Sequence, residues 1–341
     1  MSNARRLVVA IGIVAAGAAY LALVGLQPAY RNPVLDNDAP DPSVIRTADG
    51  DYYAYTTQAY FGAQFVNVPI LHSSDLVAWE LAGDALPDNP DWAVRSPGDM
   101  WAPHVTEWDD GSFRLYFSAS RRDTGEMAID VATGPSPIGR FIDSGGPIVT
   151  GQTFSAIDPF VLSAERRHYL YWGSAGDPIR VQELSTDGLR VIGEATEVLQ
   201  PSGTGYEGLI EGAWVTVHEG LYYLWYSGDA CCGDEAHYAV MVARSESAFG
   251  PYARNPDNPI LEANDTFDAP GHLSTVRGPD GNDWMLYHAM VRPETSFRSL
   301  FLDRIDWVDD WPVINDGHGP SQCSTDAPHD PPLPRLPICG G

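Results

Sequence analysis

The chain has 341 residues, 44% of them hydrophobic, and a formal net charge of −26. That length and apolar content suffice for one large all-β domain or two ordinary ones and exclude bulk disorder. The charge, carried by a chain whose only basic side chains are arginine and histidine, excludes a nucleic-acid partner, whose phosphates demand positive charge.

Residues 1–29 read as a targeting segment. Arg5 and Arg6 precede an almost wholly apolar run from Leu7 to Leu26. Such a run is a signal peptide or an uncleaved signal anchor. It places the remaining chain outside the cell or in a periplasm, with membrane contact only through an anchor. Export implies an oxidising compartment, which suits the four cysteines. The simplest pairing joins Cys231 to Cys232 and Cys323 to Cys339, although four cysteines permit three connectivities.

From Ala39 onward the chain repeats. Five apolar strand openings occur: Pro40-Asp41-Pro42-Ser43-Val44, Trp101-Ala102-Pro103-His104-Val105, Ile157-Asp158-Pro159-Phe160-Val161, Ile210-Glu211-Gly212-Ala213-Trp214 and Gly271-His272-Leu273-Ser274-Thr275. Aligned on them, one position holds Asp41, Ala102, Asp158, Glu211 and His272, at spacings of 53 to 61 residues. After most openings comes a Gly- or Asp-rich turn, such as Asp49-Gly50, Asp110-Gly111 or Asp280-Gly281, and after each comes an aromatic run such as Tyr222-Tyr223-Leu224-Trp225-Tyr226. These are hairpin signals. A third strand is expected at Met127–Val131, Ile179–Leu184 and Tyr238–Ala243. Fourth-strand signals stand at Asp75–Trp79, Gly139–Phe141 and Gly250–Tyr252.

The expected fold is therefore all-β: a five-bladed β-propeller of four-stranded antiparallel blades around a central axis, over residues 30–315. Asn32-Pro33-Val34-Leu35 echoes Asn258-Pro259-Ile260-Leu261. Either it or Trp311–Ile314 could complete the last blade. Residues 316–341 read as a Pro-rich tail.

In a propeller the inner strands line the axis, so one register on each converges at one face. Asp41, Asp158, Glu211 and His272 then share a site. Crowded, partly buried carboxyls cannot all ionise freely. One is expected to hold its proton near neutral pH and another to stay ionised, which is the acid–base pair of glycoside hydrolysis.

The motifs Pro40-Asp41-Pro42-Ser43-Val44-Ile45, Trp101-Ala102-Pro103-His104, Ile157-Asp158-Pro159-Phe160, Glu211-Gly212 and Gly271-His272-Leu273-Ser274, in this order, resemble glycoside hydrolase family 43. So do Ser74-Asp75-Leu76 with Trp79, and Ser247-Ala248-Phe249-Gly250-Pro251-Tyr252. The likeness runs from about Asn32 to Val313. It implies an inverting glycosidase acting on arabinose- or xylose-containing plant glycans as a monomer without a required cofactor. Asp41 would be the general base and Glu211 the general acid, while Asp158 would raise the pKa of Glu211 and orient it. His272 would face an axial calcium or sodium ion, through water. Arg298 occupies the place of a family arginine near the sugar. Trp101, Tyr60 and Phe61 are the candidate apolar walls for sugar rings, and His104 is expected with them at the substrate. The Cys231-Cys232 pair resembles arabinanase-like members, whereas Pro40-Asp41-Pro42 resembles xylosidase-like ones. A non-catalytic carbohydrate-binding propeller at the cell surface is the alternative.

Overall fold

The computed structural model describes residues 30–324, apart from 96, 165, 175 and 293–296, together with residue 328. The targeting segment, Cys339 and nearly all of the chain beyond residue 324 lie outside the described residues. Among the described residues no helix is long and apolar enough to cross a membrane.

Five antiparallel sheets follow one another along the chain. Blade one comprises Ser43–Arg46, Tyr52–Tyr55, Pro69–Ser73 and Glu80–Asp84. Blade two comprises Met100–Glu107, Phe113–Ser120 and Met127–Gly134, edged by Ile142–Asp143 and Val149–Thr150. Blade three is Phe160–Ala164, Arg167–Trp172, Ile179–Leu184 and Val191–Leu199. Blade four is Ile210–His218, Leu221–Ala230, His237–Ser245 and Ala253–Arg254, and blade five is Phe267–Arg277, Asp283–Val291, Ser299–Val308 and Trp311–Ile314. The five-bladed propeller expected from the repeat is the fold.

The first strand of each blade touches the first strand of the next, and that of blade five touches that of blade one. These inner strands thus form a closed ring, which removes sheet edges from the centre. The aromatic second strands explain why the blades stack. In Phe113–Ser120 every residue is buried, because both sheet faces are covered by neighbouring blades. Tyr55, Val105, Leu115, Phe117 and Phe141 form one interblade core. Each such large side chain contributes about 1.5–3 kcal/mol by leaving water.

Three expected fourth strands are turns instead. Asp75 accepts the backbone N–H groups of Val77 at 2.9 Å and Ala78 at 2.8 Å, and the outer strand starts only at Glu80. Gly139–Phe141 and Gly250–Tyr252 likewise precede the edge strands at Ile142 and Ala253. A carboxylate closing a turn on its own backbone competes with the ladder, so the signal marks the entry to a strand.

Both candidates for finishing blade five do so. Trp311–Ile314 pairs with Ile305–Val308. Farther along the same strand, Asn32 clasps Leu302, its Oδ1 accepting the Leu302 N–H and its Nδ2 donating to the Leu302 carbonyl, both at 2.9 Å. Leu35 then bridges Leu300. Asn258 makes the same pair of bonds to Val242, and Leu261 bridges Val240. The sequence echo is therefore a structural repeat, and it clamps residues 32–35 to the last blade. The tail does not begin loosely at 316. Ser321 is buried and donates its N–H to Asp303, and Cys323–Ser324 pair with Tyr30–Arg31.

Candidate active site

At the register where the five inner strands converge, one residue of each blade adopts the left-handed backbone conformation. They are Asp41, Ala102, Asp158, Gly212 and His272, with φ of 56°, 44°, 58°, 63° and 45°. A non-glycine residue held there costs about 1–3 kcal/mol, a strain that persists only where the surroundings impose it. This ring corrects the alignment in blade four by one residue. Glu211 pairs with Ser227 as Trp101 pairs with Ser118 and Gly271 with His288, so Glu211 precedes the special position. Gly212 fills that position because it carries no Cβ; one added there would lie 3.2 Å from His272 Cγ.

A second ring holds the first, and the sequence reading missed it. The N–H groups of the special residues are fixed by side chains at the ends of the preceding blade's second strand. Ala102 N donates to Thr57 Oγ1 (2.7 Å), Asp158 N to Ser118 Oγ (3.1 Å), His272 N to Ser227 Oγ (2.8 Å) and Asp41 N to His288 Nδ1 (3.2 Å). Blade four departs from the pattern. Gly212 N donates to Asp158 Oδ2 at 2.9 Å, which frees Ser174 to donate to Glu211 Oε2. The available signal was a small polar residue or histidine closing each aromatic run.

The carboxylates gather as expected. Asp41 is buried. Its Oδ1 accepts from Arg298 Nη1 at 3.0 Å and lies 3.2 Å from His272 Nδ1; its Oδ2 accepts from Thr57 at 2.6 Å. Burial would raise its carboxyl pKa, but the Arg298 and His272 charges hold it well below the usual carboxylate range. Asp158, 3.9 Å from His272 Nδ1, is pushed up to about 7: burial dominates, and the Glu211 and Asp41 charges reinforce it against His272. Burial alone would lower His272, yet Asp41 and Asp158 push it up to about 9, so it is an imidazolium at neutral pH. Glu211 is half-buried, and Tyr238 donates to its Oε1 at 2.8 Å. His288 stays neutral, lowered by burial to about 4. An ionised carboxylate fixed by cations thus shares one mouth with a pair of opposed carboxyls.

Tyr238 lies against Gly271, where an added Cβ would come within 2.0 Å of the Tyr238 ring. Gly271→Ala is therefore expected to cost about 1–3 kcal/mol by overpacking and to lower kcat by displacing the Glu211 partner. Chemical denaturation and steady-state rates on the same preparation check both.

The proposed sugar contacts divide. Arg298 stands in the site through Asp41. Trp101 is half-buried at the mouth. Tyr60 is 58% exposed, on a small hairpin of Ala59–Phe61 with Gln64–Val66 that is tied to blade two by the Gln58 N–H and Met100 carbonyl. Phe61 packs partly against the core of blades one and five. His104 is not a substrate contact. It is 4% exposed, edge-on to Phe160 and Trp214 at 4.8 and 5.3 Å, and lowered to about 3 by burial. The chain bulges between Trp101 and His104, and the histidine turns into the core.

The donor set does not fit a protein-caged ion. Among the described residues no three His, Cys, Asp or Glu side chains are grouped to hold a metal. His272 spends Nδ1 on Asp41, and as an imidazolium it offers no lone pair. Cys231 and Cys232 are bonded to each other; the expected 323–339 bridge reaches outside the described residues.

Comparison with known proteins agrees with this geometry. The family description Glycosyl hydrolases family 43 matches residues 30–312. The chain is 27% identical over 301 residues to arabinan endo-1,5-alpha-L-arabinosidase A of Aspergillus niger, covering 80% of this chain and 90% of that one. It is 27% identical over 328 residues to a non-reducing end alpha-L-arabinofuranosidase of Bacteroides ovatus, covering 92% and 58%. Among solved structures, a thermostable family-43 glycoside hydrolase superposes with a TM-score of 0.75 at 29% identity, over 88% of this chain and 99% of that one. An exo-1,5-alpha-L-arabinanase from a bovine ruminal metagenomic library gives 0.68 at 27%, over 85% and 99%. The five motifs, the propeller and these matches together establish that the chain belongs to glycoside hydrolase family 43 and is a glycosidase.

Proposed function

We propose that this glycosidase inverts configuration at arabinose- or xylose-containing plant polysaccharides or oligosaccharides. Asp41 acts as general base on a water, and Glu211 protonates the leaving oxygen. Asp158 sits against Glu211 through the Gly212 amide and opposes its charge. The single observation that carries the reading is the division of labour among the carboxyls. Asp41 is locked as an anion by Arg298 and His272, while burial and the neighbouring carboxylate charges push Asp158 up to about 7. In an inverting reaction the water enters on one face of the sugar while the leaving group departs from the other. The base must then be charged and the acid protonated at the same moment; Asp41 is held charged by its cations, and Asp158 is the raised carboxyl set beside the acid.

Arabinan-type substrates come first and β-xylosides second. The named activities of the relatives are mostly on arabinan, and the Cys231-Cys232 pair resembles arabinanase-like members, whereas Pro40-Asp41-Pro42 supports a xyloside. We also propose that the protein works outside the cell as a monomer, released or anchored through residues 7–26, and that any axial calcium or sodium ion is held chiefly by water. A non-catalytic glycan-binding propeller has no use for a strained, cation-locked Asp41 opposite buried Asp158 and half-buried Glu211.

The test is a panel of aryl arabinofuranosides, aryl xylosides, arabinan and xylan, with the first-formed anomer followed by proton NMR. Release of the inverted anomer is expected. Retention of configuration, or no turnover across the panel, would overturn the proposal.

A further inference from the structure

Phe154 is the large aromatic side chain that the catalytic reading leaves unused. It is 48% exposed, although it precedes buried Asp158 by only four residues. Its ring stacks on Trp101 with centroids 5.9 Å apart and planes 18° from parallel. Touching rings lie about 3.5–4 Å apart, so a 5.9 Å separation means that the rings are offset. The pair is a broad step rather than a closed sandwich, and much of the Phe154 surface stays in water.

The segment that carries it is fixed. Thr153 is held in the left-handed region at φ 50° and its carbonyl accepts the Met127 N–H at 3.0 Å. Ser155 N donates to the Gln152 carbonyl at 3.0 Å. A side chain on Gly151 would meet Ser155 Oγ at 2.2 Å, so the Ser155 hydroxyl would have to turn away to admit one. This turn spends strain to keep an apolar ring in solvent. On the other side of Trp101, Ala102 N reaches Thr57, which in turn holds Asp41. The step is therefore continuous with the catalytic mouth through Trp101.

We propose that the Trp101–Phe154 step is a further sugar subsite, on which a ring of a pentose oligosaccharide beyond the residue being cleaved is stacked, with Phe154 determining preference for chain length. The inference rests on the glycosidase reading above for its substrate class. A sugar presents a flat C–H face, and an offset aromatic pair matches it without polar contacts. Because the turn is fixed in advance, binding costs little ordering entropy.

The test uses arabinotetraose and xylotetraose with two readouts. In a Glu211→Gln background, titration calorimetry gives Kd without turnover. Phe154→Ala is expected to weaken the tetrasaccharide that binds by about 3–10-fold, the range of an aromatic stacking contact, and Phe154→Trp to restore it. In the active enzyme, the ratio of kcat/KM for that tetrasaccharide to kcat/KM for an aryl monoglycoside is expected to fall by about the same factor. Equal Kd with and without Phe154, or an equal loss on both substrates, overturns the subsite and leaves the acid–base assignment standing. Failure of Glu211→Gln to bind either tetrasaccharide overturns both.

Discussion

Asp41→Asn is expected to lower kcat by about 10²–10⁴, the usual contribution of a positioned general base. The substitution keeps the shape of the side chain, and the amide oxygen still accepts from Arg298 or Thr57. It removes the charge that a water must give its proton to. The cations around it make a second consequence measurable. His272 stands at about 9 because Asp41 and Asp158 face it, above its ordinary 6.5. A raised histidine contributes stability that is complete below about 6.5 and is lost as pH climbs through about 9. With Asp41 neutralised, that window should narrow from its alkaline end. Stability curves of wild type and variant between pH 6 and 10 check this, and aryl-glycoside kinetics check the rate. An undiminished kcat in a folded Asp41→Asn protein would remove Asp41 from the mechanism.

Much of this site is written in the chain, and the parts that are not have physical reasons. Asp41 and Asp158 are legible because the left-handed residue at each strand start tolerates Asp, and a following proline marks where the strand begins. Glu211 is legible as a carboxylate but not in its register. Blade four gives the left-handed position to Gly212, and only backbone conformation reveals the shift. The ring of Thr57, Ser118, Ser174, Ser227 and His288 is hard to read because short polar residues are common at strand ends and these act across blades. Tyr238 reads as another strand aromatic until it is seen to bond Glu211. His104 misleads for the opposite reason. It shares a motif with Trp101, yet a bulge and three residues of strand separate their faces. The Asn32 echo of Asn258 was legible because both asparagines perform the same pair of backbone bonds.

Glu211→Gln is expected to show its loss selectively. On arabinan or xylan fragments, whose leaving alkoxide requires a proton, kcat/KM should fall by about 10²–10⁴. On a dinitrophenyl glycoside, whose phenolate leaves unaided, the fall should be far smaller. Glutamine keeps one of the two bonds donated by Ser174 and Tyr238 and can donate its amide N–H to the other hydroxyl, so a uniform loss on both substrates would point to positioning rather than proton donation. The pH profile supplies an independent reading. Asp158 is pushed up to about 7 by burial and by the Glu211 and Asp41 charges. The wild-type rate should therefore fall on the alkaline side with a midpoint near 7, as Asp158 ionises beside Glu211. Asp158→Asn keeps an acceptor for the Gly212 amide but removes the second charge. Its alkaline limb should move away from 7, since the carboxyl that titrates there is gone. An unmoved limb would separate Asp158 from the acid and leave it a purely structural bond to blade four.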